Sequence, residues 1–455
     1  MATVAAVLAF TRFAPAQVPP GSGSLLNLAR QATSDNATES AAAIAALRAA
    51  GPPGIESLSE VYAKETAAHL QRLRAVELPA EDETWHRIRR AFDSVGEQHD
   101  NFASRLYWFT DLKQAKAAAR AAGKPILSLR LLGQLNEEYS CANSRFFRTT
   151  LYANAEVAQY LRDNFILHWQ SVRSVPIITI DFGDGRQIKR TITGNSIHYI
   201  LDAEGRPIDA LPGLYGAKAF LVGLRRAAAA EQQASALKGA EQDTFLESYH
   251  ATQLAGIQQQ WSRDLARIGL MPETAALTVA AKNPDATLAA TRAVGKSAIE
   301  APMLLGGAQV AKANRDRLEE LSSDSTWRAM AALHAADAPL DASALGLIRM
   351  KQPDAAAAMR LTMSKAVVET PMMRMVRGLK NSIAEDTVRN EYQLHARLHE
   401  WFAAGTAPKN LEALNKKIYA ELFLTPDSDP WLGLAPADVF SALDNGGLVQ
   451  SVVTH

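Results

Sequence analysis

The fold is read from Lys124-Pro-Ile-Leu-Ser-Leu-Arg-Leu-Leu132 and from the segment that follows, Tyr139-Ser-Cys-Ala-Asn-Ser-Arg145. The run from Ile126 to Leu132 is apolar almost throughout, which fits a short strand covered on both faces. Cys141 is the only cysteine of the chain, and an amphipathic helix pattern begins beside it. A lone thiol between a buried strand and a helix start is the clearest candidate for chemistry in the chain.

Upstream, Trp108-Phe-Thr-Asp-Leu112 leads into an alanine-rich helix pattern. Thr110 or Asp111 caps it, and Gly123 supplies the residue that tolerates the left-handed position past its end. Downstream, Ala155 to Phe165 reads as a helix, and Phe165 to Arg173 as a strand with partial alternation. Ile177 to Thr193 reads as a hairpin turning at Gly183-Asp-Gly185. Ile197 to Asp202 is a further strand, a turn runs to Pro207, and Ala217 opens a last helix. Helices and strands in this order predict an α/β sandwich.

In that order the pieces resemble the thioredoxin-like superfamily. The likeness is carried by Trp108 with the Ala-x-x-x-Ala helix after it, by Gly123-Lys-Pro125, and by the cysteine segment at a helix start. It continues in Glu156-Val157 with Asn164-Phe165, and in Leu201-Asp202-x-x-Gly205-Arg-Pro207 ahead of Gly213. The resemblance implies a thioredoxin fold for residues 106–230 with its active site at Cys141. The departures are specific. A dithiol member has Cys-x-x-Cys, and this chain has Cys141-Ala-Asn-Ser144. The loop from Leu132 to Cys141 is long. Gly194-Asn-Ser196 stands before Ile197-His198 where the superfamily places a cis-proline, and Pro176 opens the hairpin instead.

A thiol at a helix N-terminus is stabilised as the thiolate by the helix dipole and the free N–H groups. Ser144 is expected to donate its hydroxyl to the sulfur, and Ser196 and His198 lie on the strand facing the site. The expected site is therefore Cys141, Ser144, Ser196 and His198. With no second thiol in the chain, a mixed disulfide must be resolved by a small thiol or a partner protein. Glu137 and Glu138 oppose thiolate formation, and Arg145 and Arg148 offset them. Two other readings compete: a small buried hydrophobe in a retired site, and a nucleophile pair or metal site made by Cys141 with His198.

The flanks read as helical. Ala41 to Ala50, stopped by Gly51-Pro-Pro-Gly54, and the pattern from Ile55 onward form a hairpin of helices, and Glu81 to Arg105 forms another helix. His86 and His99 read as packing residues. Beyond residue 230 the pattern is helical, with breaks at Met271-Pro272, Asn283-Pro284, Pro302, Pro339 and Pro353. Met350, Met359, Met363, Met372, Met373 and Met375 read as core filling. Glu391-x-x-x-His395-x-x-x-His399 puts two imidazoles and a carboxylate on one helix face. Such a set ligates zinc or iron when a further ligand comes from elsewhere; the plain reading is a Glu–His pair. The HExxH arrangement is absent, because no glutamate follows His395 directly.

Bulk properties narrow the classes. A chain of 455 residues is too long for one core. Lys plus Arg number 48 and Asp plus Glu number 48, so no net charge argues for nucleic acid or an anionic membrane. One cysteine excludes an intrachain disulfide and an all-cysteine metal site. No window reaches the ~18 apolar residues of a membrane span. Ala5 to Phe10 and Ala14-Pro-Ala16 suit a signal peptide, but no basic residue precedes Arg12, so the start is read as a signal or a disordered lead.

The expectation is an α+β protein. Residues 1–24 form a lead, 25–105 a helical N-terminal segment, 106–230 a thioredoxin-like α/β sandwich and 231–455 a large all-helical domain. The leading function is a monothiol redox or thiol-interaction role, with enzymatic activity left open. One alternative is a non-catalytic scaffold that binds a protein partner through its helical domains. The other is a metal protein using Glu391, His395 and His399. The expected partners are a protein or a small thiol, with no nucleic acid and no membrane span. No organic cofactor is expected, and a metal is admitted. The expected location is periplasmic or secreted, with cytoplasmic as the alternative.

Overall fold

The computed structural model describes residues 22–74, 82–191, 194–270, 324–351 and 365–432. The possible signal segment and the breaks at Met271-Pro272, Asn283-Pro284, Pro302 and Pro353 lie outside them, as do Met359, Met363 and the side chains of Met372, Met373 and Met375.

Among the described residues six helices precede the sheet: α1 (Ser22–Gln31), α2 (Ala37–Ala49), α3 (Pro52–Val61), α4 (Ala63–Arg74), α5 (Glu83–Gly96) and α6 (Asn101–Ser104). Asn36 caps α2 by accepting the N–H groups of Thr38 and Glu39, and Asp82 caps α5 by accepting that of Trp85. The helix expected over Glu81 to Arg105 is thus two pieces, separated by Glu97 in the left-handed region at φ 52°. Tertiary bonds explain the break. The Asp93 carboxylate accepts the Asn101 N–H at 2.8 Å, and the Glu97 carbonyl accepts the Trp169 indole N–H at 2.8 Å.

Helices α2 and α3 cross at Gly54, where a Cβ would collide with the backbone of Leu47. Backbone cannot move aside as a side chain can. Gly54→Ala is therefore expected to cost about 1–3 kcal/mol by overpacking, against up to ~1 kcal/mol gained in helix propensity. A lower urea midpoint checks this.

The strands are β1 (Trp108–Phe109), β2 (Ile126–Leu132), β3 (Ile166–Arg173), β4 (Ile177–Asp181), β5 (Gln187–Thr191), β6 (Ser196–Leu201) and β7 (Pro207–Pro212). β4 and β5 form the expected hairpin as a separate two-stranded sheet. The other five form one sheet in the order β1-β3-β2-β6-β7. β1, β3 and β2 run parallel, and β6 and β7 complete the sheet in antiparallel pairing. Helix α7 (Leu112–Ala122) joins β1 to β2. Asp111 caps it and Gly123 ends it at φ 61°, as expected. Helix α8 (Ala142–Phe146) starts beside Cys141 and passes into a π turn over Phe147–Leu151. Helix α9 (Ala155–Asn164) leads to β3, and α10 (Ala217–Ser235) follows β7.

The C-terminal half contributes α11 (Ala240–Arg267), α12 (Asp324–Leu333), α13 (Ala342–Met350), α14 (Lys365–Arg389), α15 (Ala396–Ala403) and α16 (Leu411–Lys417). π turns follow α14 (Asn390–His395) and α16 (Ile418–Leu422). Among the described residues no helix is long and apolar enough to cross a membrane.

The boundary expected between residues 230 and 231 falls inside α10, and one buried core runs from Leu106 through the sheet to Leu432. The reason lies in β2. Its register places Ser128 and Arg130 on one sheet face with His168, Gln170 and Tyr199. Apart from Gln170, which is exposed, this face is buried but polar, so it needs a polar cover. Helix α16 provides it. Glu412 pairs with Arg130 at 2.5 Å, and Asn415 accepts the Tyr199 hydroxyl at 3.0 Å. The N-terminal helices keep a second core, which Leu347 of α13 joins.

Candidate functional site: a sealed thiol and a buried histidine–carboxylate centre

Cys141 is the N-cap residue of α8 and is fully buried. Its N–H donates to the Leu132 carbonyl at 3.1 Å, so the long loop returns to the end of β2. The Ser144 hydroxyl does not serve the sulfur. It bonds Ser140 Oγ at 2.6 Å and the Cys141 carbonyl at 2.8 Å. Ser196 lies opposite Leu131 in the sheet and is buried. His198 points into the core, with its ring against Phe147 and Phe220 and its Nε2 at 2.6 Å from the Tyr152 hydroxyl. Burial pushes its pKa down to about 3. His198, one of the competing partners for Cys141, instead has its Nε2 bonded to Tyr152 among the described residues.

Three contacts close the thiol segment. The Asn143 amide donates to the Gly194 carbonyl, and Arg145 donates to Thr191 Oγ1 at 2.9 Å. The Tyr419 hydroxyl donates to the Asn195 carbonyl at 3.2 Å. The C-terminal segment thereby sits over the turn before β6. Burial raises the pKa of both Tyr152 and Tyr419 well above the usual range, and Cys141 adds to the rise.

The loop before Cys141 is held from beneath. Arg148 is buried and donates to the carbonyls of Leu135 (3.1 Å), Glu137 and Glu138 (3.2 Å). His99 Nε2 lies 2.7 Å from Glu138, and Lys351 Nζ lies 2.8 Å from the buried Asp100. Burial would lower the pKa of His99, but Asp93 and Glu138 raise it. His99 is therefore a link between the N-terminal helices and this loop, which spacing in the sequence does not reveal.

The second constellation forms where β7 meets α11 and α15. Glu391 and His395 are committed to each other: His395 Nδ1 lies 2.8 Å from Glu391, and its Nε2 lies 3.5 Å from Asp209. Burial opposes charge on His395, but the two carboxylates raise its pKa to about 9. Of Glu391, His395 and His399, only His399 belongs to a convergent ligand group among the described residues. Its companions are Asp209 and His250, whose ligand atoms with those of His399 lie within 4.8 Å of one another, all buried. The metal set Glu391, His395 and His399 is one alternative beside the plain Glu–His pair, and Glu391 and His395 do form that pair, next to the centre that His399 joins. Asp209 and His250 carry no local spacing signal. The one available clue was that a helix with two histidines needs a further ligand from another element.

Behind this cluster lies a cavity of about 380 Å³, whose wall includes Tyr215, Arg226, His334, Glu391 and Tyr392. His334 Nε2 is 2.6 Å from the buried Asp264 carboxylate, to which Tyr392 also donates. Arg226 approaches Glu391 at 3.9 Å, and burial, which would lower its pKa, is outweighed by Glu391 and Asp209.

In comparisons with known proteins, no family model, no curated sequence and no solved structure matches this chain.

Proposed function

We propose that the chain is a thioredoxin-like scaffold protein in which Cys141 is a core residue, and that it works by binding a partner through its helical domains rather than by thiol–disulfide exchange. The strand order β1-β3-β2-β6-β7, with its parallel and antiparallel halves, supports the fold implied by the resemblance. So does a cysteine at the start of the helix that follows β2. The observation that carries the functional reading is the full burial of Cys141, beneath the turn that Tyr419 covers. A thiol must be reached to act. The cavity beside α10 falls in the size range of concave binding sites, ~300–1,000 Å³.

Iodoacetamide at neutral pH tests this. Cys141 is expected to stay unmodified in the native protein and to react fully once the chain is unfolded in urea. Native reaction at the rate of a free thiol, or formation of a mixed disulfide with glutathione, would replace the scaffold reading with the monothiol one.

A further inference from the structure

We propose that Asp209, His250 and His399 bind one divalent transition-metal ion of the zinc or iron(II) class at the junction of the sheet and the C-terminal helices. The nitrogens of this cluster outnumber the hydrogens available to them. His250 Nε2 lies 3.0 Å from the Ile208 carbonyl, which can only accept. Nε2 therefore carries the proton of a neutral His250, and Nδ1 presents a bare lone pair. That lone pair faces His399 Nδ1 at 2.8 Å.

A neutral His399 has a single proton for two nitrogens. With the proton on Nδ1, it donates to His250, and Nε2 is left as a buried lone pair with no partner among the described residues. With the proton on Nε2, that N–H has no acceptor among them, and two lone pairs oppose each other at 2.8 Å. A second proton on His399 would set a positive ring against that of His395, whose centroid is 4.1 Å away. A metal ion accepts lone pairs without bringing a proton, and the Asp209 carboxylate offsets part of its charge.

Two imidazoles and one carboxylate suit a borderline cation such as Zn2+ or Fe2+. The surrounding groups orient these ligands as an outer shell does. The Ile208 carbonyl holds His250. The Tyr249 hydroxyl donates to Asp209 Oδ2 at 2.6 Å, and His395, backed by Glu391, approaches Oδ1 at 3.5 Å. Tyr215 and Glu391 also line the cavity, so the outer shell borders solvent-accessible space. Three protein ligands leave a coordination position open.

The test is a titration of the metal-free full-length chain with Co2+, followed by competition with Zn2+. One equivalent of Co2+ is expected to bind with ligand-field bands of nitrogen and oxygen coordination, and Zn2+ is expected to displace it and raise the melting midpoint. Asp209→Asn, His250→Gln and His399→Gln should each weaken binding by more than ~100-fold. The outer residue substitution His395→Gln should weaken it by ~10–100-fold. His334→Gln, outside the cluster, should leave binding unchanged. The inference is overturned if the wild type takes up no Co2+, or if folded His399→Gln binds it as the wild type does. Should the ligand variants fail to fold, the wild-type titration decides alone: ligand-field bands sustain the site, and their absence refutes it.

Discussion

Arg148→Ala is expected to destabilise the central domain by about 3–5 kcal/mol, because it strands buried polar groups rather than deleting a surface charge. The guanidinium donates to three carbonyls of one loop, those of Leu135, Glu137 and Glu138. Burial disfavours its charge, and Asp100 and Glu138 oppose that loss. The same loop leads directly into Cys141, so the loss has a local readout. If opening of the loop exposes the thiol, each 1.4 kcal/mol is about a tenfold rise in native-state alkylation rate. The Arg148→Ala protein should then alkylate at Cys141 at least ~100-fold faster than the wild type. Arg148→Lys keeps the charge but not the fork of donors, and should fall between the two. A lowered melting point with no change in Cys141 protection would show that Arg148 supports the fold elsewhere and not this loop.

Acid should weaken the sheet through two core histidines. His168 bonds Ser128 Oγ at 2.8 Å. Burial, aided by Arg130, pushes its pKa down to about 3. Burial alone does the same to His198. In the unfolded chain both titrate near ~6.5. Their folded values are depressed, so their contribution is fully present above ~6.5 and is lost progressively as pH falls toward about 3, where the folded protein also takes up the protons. Between about pH 7.5 and about pH 5 the pair should remove ~4 kcal/mol. His395 acts in the opposite sense. Its raised value makes its contribution full below ~6.5 and lost as pH rises through about 9. The comparison that isolates the core pair is therefore between variants. His168→Gln and His198→Gln should each flatten the slope of unfolding free energy against pH by about one proton below pH ~6. Unchanged slopes would mean that these rings are already protonated in the folded protein.

Element identities were legible where they depend on adjacent residues. Asp111 and Gly123 bound α7 because a cap and a left-handed terminus are local chemistry. Gly183-Asp-Gly185 turns the hairpin for the same reason. The break at Glu97 was not legible, since it is held by Trp169, a residue far along the chain. The run Ile126 to Leu132 was readable as a buried strand, but the partner of its polar face was not. Arg130 meets Glu412 across 282 residues of sequence.

The candidate sites divide along the same line. The sequence by itself determined that one thiol exists, that it begins a helix, and that no second thiol can resolve it. It also determined that Glu391, His395 and His399 share one stretch of helix. Only the tertiary structure decided that Cys141 is sealed, because the cover comes from Tyr419 and the clamp from Arg148. It alone brought Asp209 and His250 to His399, and turned Glu391 and His395 into their support. Spacing along a helix determines which side chains share a face, but a coordination sphere closes only when a strand and two helices pack with their buried polar atoms converging.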